Sequence, residues 1–261
     1  AFGLSALLMG LTRMPGGGKP PAHAREQGLV RSTREGLSFL WNDKVLRTVA
    51  FLWMAMVAIW LPVEGVVLPV HFSAEHNPTE LGLIITAMSA GGVIGALAYA
   101  AVGRRVSRRT ALVVALIGCA LPVVAMATFP AYGVMLGLGF VSGLFFGAVN
   151  PISNLVMQVR TPAPMRGRVI GVMGSAAYAA GPIGYLVAGP MIDRYGAGPV
   201  FLGLALLLLV LSVGAAFLPA LHGLDDVDAD DLVTGFEASD LDPDWRTAEA
   251  ERIAAGFAKV D

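Results

Sequence analysis

Six long apolar stretches follow one another along the chain, and short polar segments separate them. Each stretch is about as long as the roughly 20 residues that an α-helix needs to cross the hydrocarbon core of a bilayer. The apolar residues are continuous and do not alternate with polar ones, which favours helices over the strands of a membrane barrel. The pattern predicts an all-α, polytopic bundle of six membrane helices at about residues 46–70, 80–103, 109–129, 132–158, 167–190 and 197–219.

Composition agrees with a membrane protein. Hydrophobic residues make up 56% of the chain and charged residues 14%, whereas about 25% of the residues in a soluble domain are charged. The only cysteine, Cys119, lies inside an apolar stretch, so no disulfide framework is expected.

The basic residues between the stretches predict an orientation. On one side of the predicted membrane the segments hold fourteen basic residues, whereas those on the other side hold only Arg194. The fourteen are Arg13, Lys19, Arg25, Arg31, Arg34, Lys44, Arg47, Arg104, Arg105, Arg108, Arg109, Arg160, Arg166 and Arg168. Because basic loops stay in the cytoplasm, the pattern predicts a multi-pass protein of the inner (plasma) membrane with a cytoplasmic C-terminus.

The two ends of the chain differ from its middle. Ala1–Leu11 is an apolar stub of about half the spanning length, and we expect residues 1–12 to be the end of a helix that begins further upstream. Residues 13–45 are expected to form a cytoplasmic linker with an amphipathic helix, which either lies on the membrane surface or tethers its neighbours. Residues 222–261 hold twelve of the nineteen acidic residues and predict a disordered acidic tail.

The chain lacks the motifs of soluble enzymes and nucleic-acid-binding proteins. No cysteine or histidine cluster has the spacing of metal ligands, and no serine stands beside a base in a catalytic motif. No glycine-rich loop carries the lysine of a phosphate site, and no basic segment is interleaved with stacking aromatics. We therefore expect no enzyme activity, no cofactor and no metal.

Three motifs carry a family resemblance. The run Gly103-Arg104-Arg105-Val106-Ser107-Arg108-Arg109 resembles the basic signature loop of the major facilitator superfamily, although it lacks the usual acidic residue and has Ser107 in place of the second glycine. The run Thr161–Val169, with Arg166, Gly167 and Arg168, is similar to the loop before the eleventh helix of drug and siderophore exporters. The run Gly181-Pro182-Ile183-Gly184 is similar to an element of proton-driven antiporters.

The resemblance implies that residues 46–221 are the C-terminal six-helix half of such a transporter. Its partners would be the preceding N-terminal half of the same polypeptide, a small-molecule substrate, protons and the lipid bilayer. The implied function is proton-coupled efflux of amphipathic compounds such as drugs, siderophores or lysolipids. An importer of the same superfamily and a non-transporting membrane scaffold remain alternatives.

Physical chemistry gives roles to the motif residues, and the resemblance adds one more, a latch. The arginines of the 103–109 loop anchor a helix end at the headgroups, and the same loop latches the two halves of such transporters together. Gly181 and Pro182 predict a bend that acts either as a gate or as a static feature, because proline removes a backbone donor. Glycines at close spacing predict tight helix packing, and these are Gly91, Gly92, Gly95, Gly143, Gly147, Gly171 and Gly174.

Glu64 is the only acidic residue well inside a predicted helix. A charged side chain at the bilayer centre costs about 3 kcal/mol on insertion scales, so Glu64 requires a partner, water or a proton. It is the candidate for proton coupling, and the alternative is a carboxylate near the outer end of its helix that reaches external water.

Polar residues in the fourth stretch complete the predicted site. Asn150 and Asn154 are one helical turn apart, and Phe146 lies one turn before them. The resemblance implies that this helix and the Glu64 helix line the central cavity, with Met56 and Trp60 as an adaptable apolar wall. The alternative role for the asparagines is hydrogen bonding between helices, which contributes about 0.6 kcal/mol per contact.

Overall fold

The computed structural model describes residues 29–74, 78–162 and 165–225 of the chain, and every regular element in these ranges is helical. The stub expected at residues 1–12, the first part of the linker and the tail from residue 226 onward lie outside the described residues. The α-helices are α1 (Leu29–Asn42), α2 (Lys44–Pro62), α3 (Leu68–Ala74), α4 (Pro78–Val102), α5 (Arg108–Met126), α6 (Tyr132–Arg160), α7 (Arg166–Tyr195) and α8 (Ala197–Ala216).

Six helices in the described part of the chain are long and apolar enough to cross a membrane, and they confirm the six predicted stretches. The first is continuous from Lys44 to Ser73, because a π-helical turn at Val63–Val67 joins α2 to α3. The last, α8, ends at Ala216, three residues before the predicted end, and a 3₁₀ turn at Pro219–Leu224 follows it.

Polar side chains fix the start of two of these helices. Asp43 caps α2, because its carboxylate accepts hydrogen bonds from the backbone N–H of Val45 (2.8 Å) and of Leu46 (3.0 Å). Ser107 caps α5 and accepts a bond from the N–H of Thr110 at 3.2 Å. Both caps satisfy backbone donors that a helix leaves unpaired at its N-terminus.

Arginines tie several helix ends together at one end of the bundle, which we call the basic end. The Arg160 guanidinium, at the end of α6, contacts Asp43 at 3.4 Å and donates to the Gly223 carbonyl oxygen. The Arg109 guanidinium, at the start of α5, donates to the Ala216 carbonyl oxygen at 2.8 Å. These contacts bring the α1–α2, α4–α5 and α6–α7 connections to the same side as the end of α8, as the charge pattern predicted.

The segment after α8 folds back against the bundle. Leu221 and Leu224 are fully buried in the 3₁₀ turn, and Asp225 accepts a hydrogen bond from the Arg109 backbone N–H at 3.2 Å. The acidic tail was expected to begin at residue 222, but the packed part of the chain continues to Asp225. The apolar side chains of Leu221 and Leu224 explain the difference, because burying them against the helices is favourable.

Glycines allow α4 and α6 to approach each other closely. A Cβ atom on Gly91 or Gly95 would collide with backbone atoms of α6, and one on Gly143 or Gly147 would collide with backbone atoms of α4. These four glycines confirm the predicted role in packing. The same prediction was wrong for two glycines of α7 in the described part of the chain, where nothing lies within 4 Å of a Cβ position on Gly171 or Gly174.

Candidate functional site

A cavity of about 590 Å³ lies between the first spanning helix, α4 and α6. Its lining includes all six residues that the sequence nominated for proton coupling or for the substrate cavity. These are Met56, Trp60, Glu64, Phe146, Asn150 and Asn154. The structure therefore brings together side chains that are up to 98 residues apart in the sequence, from Met56 to Asn154.

Glu64 lies in the π-helical turn of the first spanning helix. In this turn the Leu68 N–H donates to the Val63 carbonyl, the i to i+5 pattern that defines a π-helix. Such turns are rare and often occur at functional sites. Pro62 precedes the turn and has no N–H to donate to the preceding helical turn, which favours a local change of hydrogen-bond register at this point.

Trp60 holds the Glu64 carboxylate at the cavity wall. The indole Nε1–H donates a hydrogen bond to Glu64 Oε2 at 3.1 Å. An indole N–H is a neutral donor, so it partly satisfies the carboxylate and contributes no charge that would neutralise it. The carboxylate keeps capacity for a proton or for a cationic group of a ligand.

The two asparagines lie at the open side of the cavity. Asn150 and Asn154 are both exposed, and among the described residues neither side-chain amide has a hydrogen-bond partner. An amide that joins helices would be paired with a facing residue. The arrangement leaves two donor–acceptor groups available to a ligand, one helical turn apart.

Aromatic and sulfur-containing side chains form much of the remaining wall. Phe146 stacks on Trp53 with 6.4 Å between ring centroids and an interplanar angle of 15°. Trp53 therefore supports the cavity from behind and does not lie alone against lipid. Met56 and Met88 also line the cavity, and thioether side chains adapt readily to ligands of different shape.

The structure adds lining residues that the sequence analysis did not assign to the cavity. The floor is formed by Cys119 and Ser142, and the Ser142 hydroxyl donates to the Cys119 carbonyl oxygen at 3.2 Å. One wall comes from α4 and includes Ile85, Met88, Ser89, Gly92, Val93 and Ala96. The spacing of Ser89, Gly92 and Ala96, three and four residues apart on one helix face, was the available signal for this wall.

Helix α7 packs on the Glu64 helix through the predicted bending element. A Cβ on Gly184 would collide with the Ala58 carbonyl oxygen, and one on Gly181 would lie 2.5 Å from the Leu61 Cδ1 atom. The Tyr185 hydroxyl oxygen lies 2.7 Å from the position a Cβ on Gly65 would take. Gly181 and Gly184 thus act as contact points beside Glu64, and Tyr185 is a neighbour that the sequence did not nominate. The helix is continuous through Pro182, and the gate stays a prediction.

The arginine motifs lie away from the cavity, at the basic end. A 3₁₀ turn at Gly103–Arg105, which includes Arg104, connects α4 to α5, and α5 begins with Arg108 and Arg109. Arg166 and Gly167 begin α7, where the Arg166 Nε–H donates to the Thr161 carbonyl oxygen at 3.0 Å. Arg168 forms an ion pair with Glu35 of α1. Among the described side chains, Arg109 and Arg168 connect neighbouring elements, and none of the described motif residues lines the cavity.

Comparisons with known proteins agree with this architecture. The family model described as Major Facilitator Superfamily matches residues 63–238. The multidrug efflux pump Tap of Mycobacterium tuberculosis is 43% identical over 225 residues, which cover 86% of this chain and 54% of that protein. The Tap pump of Mycolicibacterium fortuitum is 40% identical over 86% of this chain and 55% of its own length.

A more distant relative is the staphyloferrin B transporter of Staphylococcus aureus, which is 25% identical over 183 residues, or 67% of this chain and 42% of that protein. No solved structure matches the chain. The chain spans about half the length of the curated relatives that it matches. The match of the family model over most of the six helices, together with the two Tap pumps, shows that the chain belongs to the Major Facilitator Superfamily.

Proposed function

We propose that this chain is the C-terminal half of a secondary active exporter that expels amphipathic small molecules in exchange for protons. The observation that carries the proposal is the cavity that joins one carboxylate, two amides without a partner among the described residues, and an apolar aromatic wall. Ligand sites are typically apolar pockets with a few convergent polar groups. The similarity to multidrug efflux pumps supports the outward direction.

The charge of the cavity favours one substrate class. Glu64 is the only acidic or basic residue of the described chain that lines it. A negative carboxylate in a largely apolar cavity attracts cations and repels anions, and the Trp60 and Phe146 rings can add cation–π attraction. Among drugs, siderophores and lysolipids, we therefore favour amphipathic drugs that carry a positive charge.

The same carboxylate can couple transport to the proton gradient. The ionised Glu64 carboxylate attracts a cationic group, whereas the protonated, neutral form attracts it much less. Binding of a proton from the acidic side of the membrane would then weaken the hold on the substrate and favour its release. Exchange follows from competition for one group, without a second coupling residue in this half.

The native assembly would contain a second half. A cavity between the two halves of such a transporter needs walls from both, and the matched part of this chain covers only 54% and 55% of the two Tap pumps. The proposal places the rest of the same polypeptide against the open side of the cavity, where Asn150 and Asn154 are exposed. The basic end would face the cytoplasm, as its many arginines favour.

A direct test uses the complete native polypeptide in inside-out membrane vesicles with an imposed proton gradient. We expect uptake of a fluorescent lipophilic cation, loss of that uptake when an ionophore collapses the gradient, and competition by other cations but not by an anionic siderophore. Uptake that only the anionic siderophore inhibits would contradict the assigned substrate class. The absence of gradient-dependent uptake for cationic drugs, siderophores and lysolipids alike would contradict the exporter and favour the scaffold.

A further inference from the structure

A second concave surface lies on the opposite side of the α4–α6 pair from the cavity. This groove has a volume of about 330 Å³ and is formed by α4, α5 and α6. On α6, Leu144, Phe145 and Ala148 line the groove, whereas Phe146 and Asn150 line the cavity. The two concavities share no lining residue, so the groove is not part of the proposed substrate site.

Small side chains create the groove in a bundle that is otherwise tightly packed. Its walls include Ala98, Ala111, Ala115 and Ala148, whose short side chains leave a hollow where α5 meets the α4–α6 pair, and Gly95 lies at the close α4–α6 contact beside it. Val102 and Val114 stand at its edges with about half of their surface exposed, so the groove is open to the surroundings of the bundle. An apolar group fills an open apolar groove on a membrane helix bundle, because a water molecule in the groove would find no hydrogen-bond partners.

The groove ends at the basic loop between α4 and α5. Gly103 and Val106 line that end, and Tyr99 packs its ring against Gly103. Arg105 is exposed and Arg108 is partly exposed, and within the described part of the chain neither has a carboxylate partner. Arg109 contributes less, because its side chain already binds the Ala216 carbonyl.

The length of the groove fits one leaflet of a bilayer. Gly95 and Gly103 are eight residues apart, which corresponds to about 12 Å along a helix. Half of the hydrocarbon core of a bilayer is about 15 Å thick. An acyl chain in the groove would therefore run from near the bilayer centre to the level of Arg105 and Arg108, where headgroup phosphates lie.

We propose that the groove binds one anionic phospholipid from the leaflet at the basic end, with an acyl chain in the groove and the phosphate at Arg105 and Arg108. Shape and charge both favour this occupant: the mostly apolar walls suit an acyl chain, and the guanidinium groups of Arg105 and Arg108, which have no carboxylate partner among the described residues, attract a negative headgroup. The inference does not depend on the transported substrate or on Glu64. It gives the basic loop a ligand in addition to its role as a helix anchor.

The test measures which lipids stay bound to the complete native polypeptide. The detergent-purified protein is incubated with equal amounts of phosphatidylglycerol and phosphatidylcholine that carry identical chains, and the retained lipids are counted by native mass spectrometry. Two arginines near a lipid surface predict a preference for phosphatidylglycerol of roughly thirtyfold. No preference in the native protein would overturn the proposal.

Two kinds of variant separate the headgroup from the chain. Arg105→Gln with Arg108→Gln should bring the two lipids close to parity, whereas Arg194→Gln at the other end should leave the preference intact. Filling the groove by Ala98→Leu should reduce retention of both lipids, and Ala90→Leu, on the same helix but outside the groove, should not. Val114→Phe repeats the filling from α5 in case Ala98→Leu lowers the folded yield.

Each alternative has its own signature. An unchanged preference after the double arginine change would place the headgroup elsewhere, and unchanged retention after both filling variants would place the chain elsewhere. Competition by glycerophosphoglycerol as strong as that by the whole lipid would show a phosphate site without a chain, which also overturns the proposal. Transport of the lipophilic cation is assayed separately, so the absence of lipid binding in the groove would not contradict the proposed export function.

Discussion

At the scale of single residues, the question is whether the exposed amides of Asn150 and Asn154 bind substrate and so give α6 a role in substrate specificity. If Asn150 binds substrate, Asn150→Ala should change the affinity for hydrogen-bonding substrates by roughly fivefold, the equivalent of about 1 kcal/mol for one neutral hydrogen bond. Substrates without such groups should be unaffected. Binding constants for a panel of substrates measure this directly.

The matched control for this prediction is Gln158→Ala, because Gln158 is also an exposed amide of α6 but does not line the cavity. It should leave the affinity ratios within the panel unchanged. An equal loss for every substrate in Asn150→Ala, accompanied by a lower melting temperature, would assign the residue to packing instead.

At the scale of helices, the α4–α6 contact depends on glycines that meet backbone atoms. We expect Gly143→Ala to destabilise the bundle by about 1–3 kcal/mol, because the added Cβ would collide with the Met88 carbonyl oxygen and backbone cannot give way. Gly137→Ala is the control on the same helix, since nothing lies within 4 Å of its Cβ position. Thermal unfolding in detergent should separate the two, and equal melting temperatures would show that the contact is looser than described.

The sequence predicted the helices themselves but not which of their residues contact one another. The six spanning helices followed from hydropathy, because burial in lipid requires long apolar runs. The glycines of α6 and α7 look alike in sequence, yet Gly143 meets α4 and Gly171 meets nothing in the described chain. The approach of Tyr185 to Gly65 was missed for the same reason, because it depends on how two helices are placed together, which no periodic pattern encodes. The π-turn around Glu64 was missed although Pro62 marked the place, because a proline in a helix does not specify which local hydrogen-bond register follows it.

At the scale of the whole molecule, the arrangement of the helices makes a prediction about topology. On a Cys119→Ala background, a cysteine at Ser107 should react with impermeant reagents only from the cytoplasmic side, and one at Thr128 only from outside. Ser107 lies at the basic end, and Thr128 is an exposed residue in the α5–α6 turn at the opposite end. Labelling of Ser107 from outside intact cells would reverse the orientation inferred from the positive-inside rule.

The candidate site was predictable to a different degree from the fold. Glu64 and the asparagines were found because polar residues inside membrane helices are costly and rarely incidental. Their meeting in one cavity was implied by the family resemblance, and the structure now describes it. The α4 wall and the Cys119–Ser142 floor were not found, because their residues are small or weakly polar and carry little cost in a membrane.

The central claim is that the Glu64 carboxylate couples proton movement to substrate movement in the complete transporter. The most direct measurement compares Glu64→Gln with Glu80→Gln, a control at the start of α4 outside the cavity, in vesicles with and without a proton gradient. Glutamine keeps the shape and can still accept the Trp60 hydrogen bond, but it cannot take up a proton. The account predicts that Glu64→Gln reduces gradient-driven uptake of the lipophilic cation to background, whereas Glu80→Gln leaves it unchanged. Gradient-driven uptake at the wild-type rate in Glu64→Gln would contradict the account.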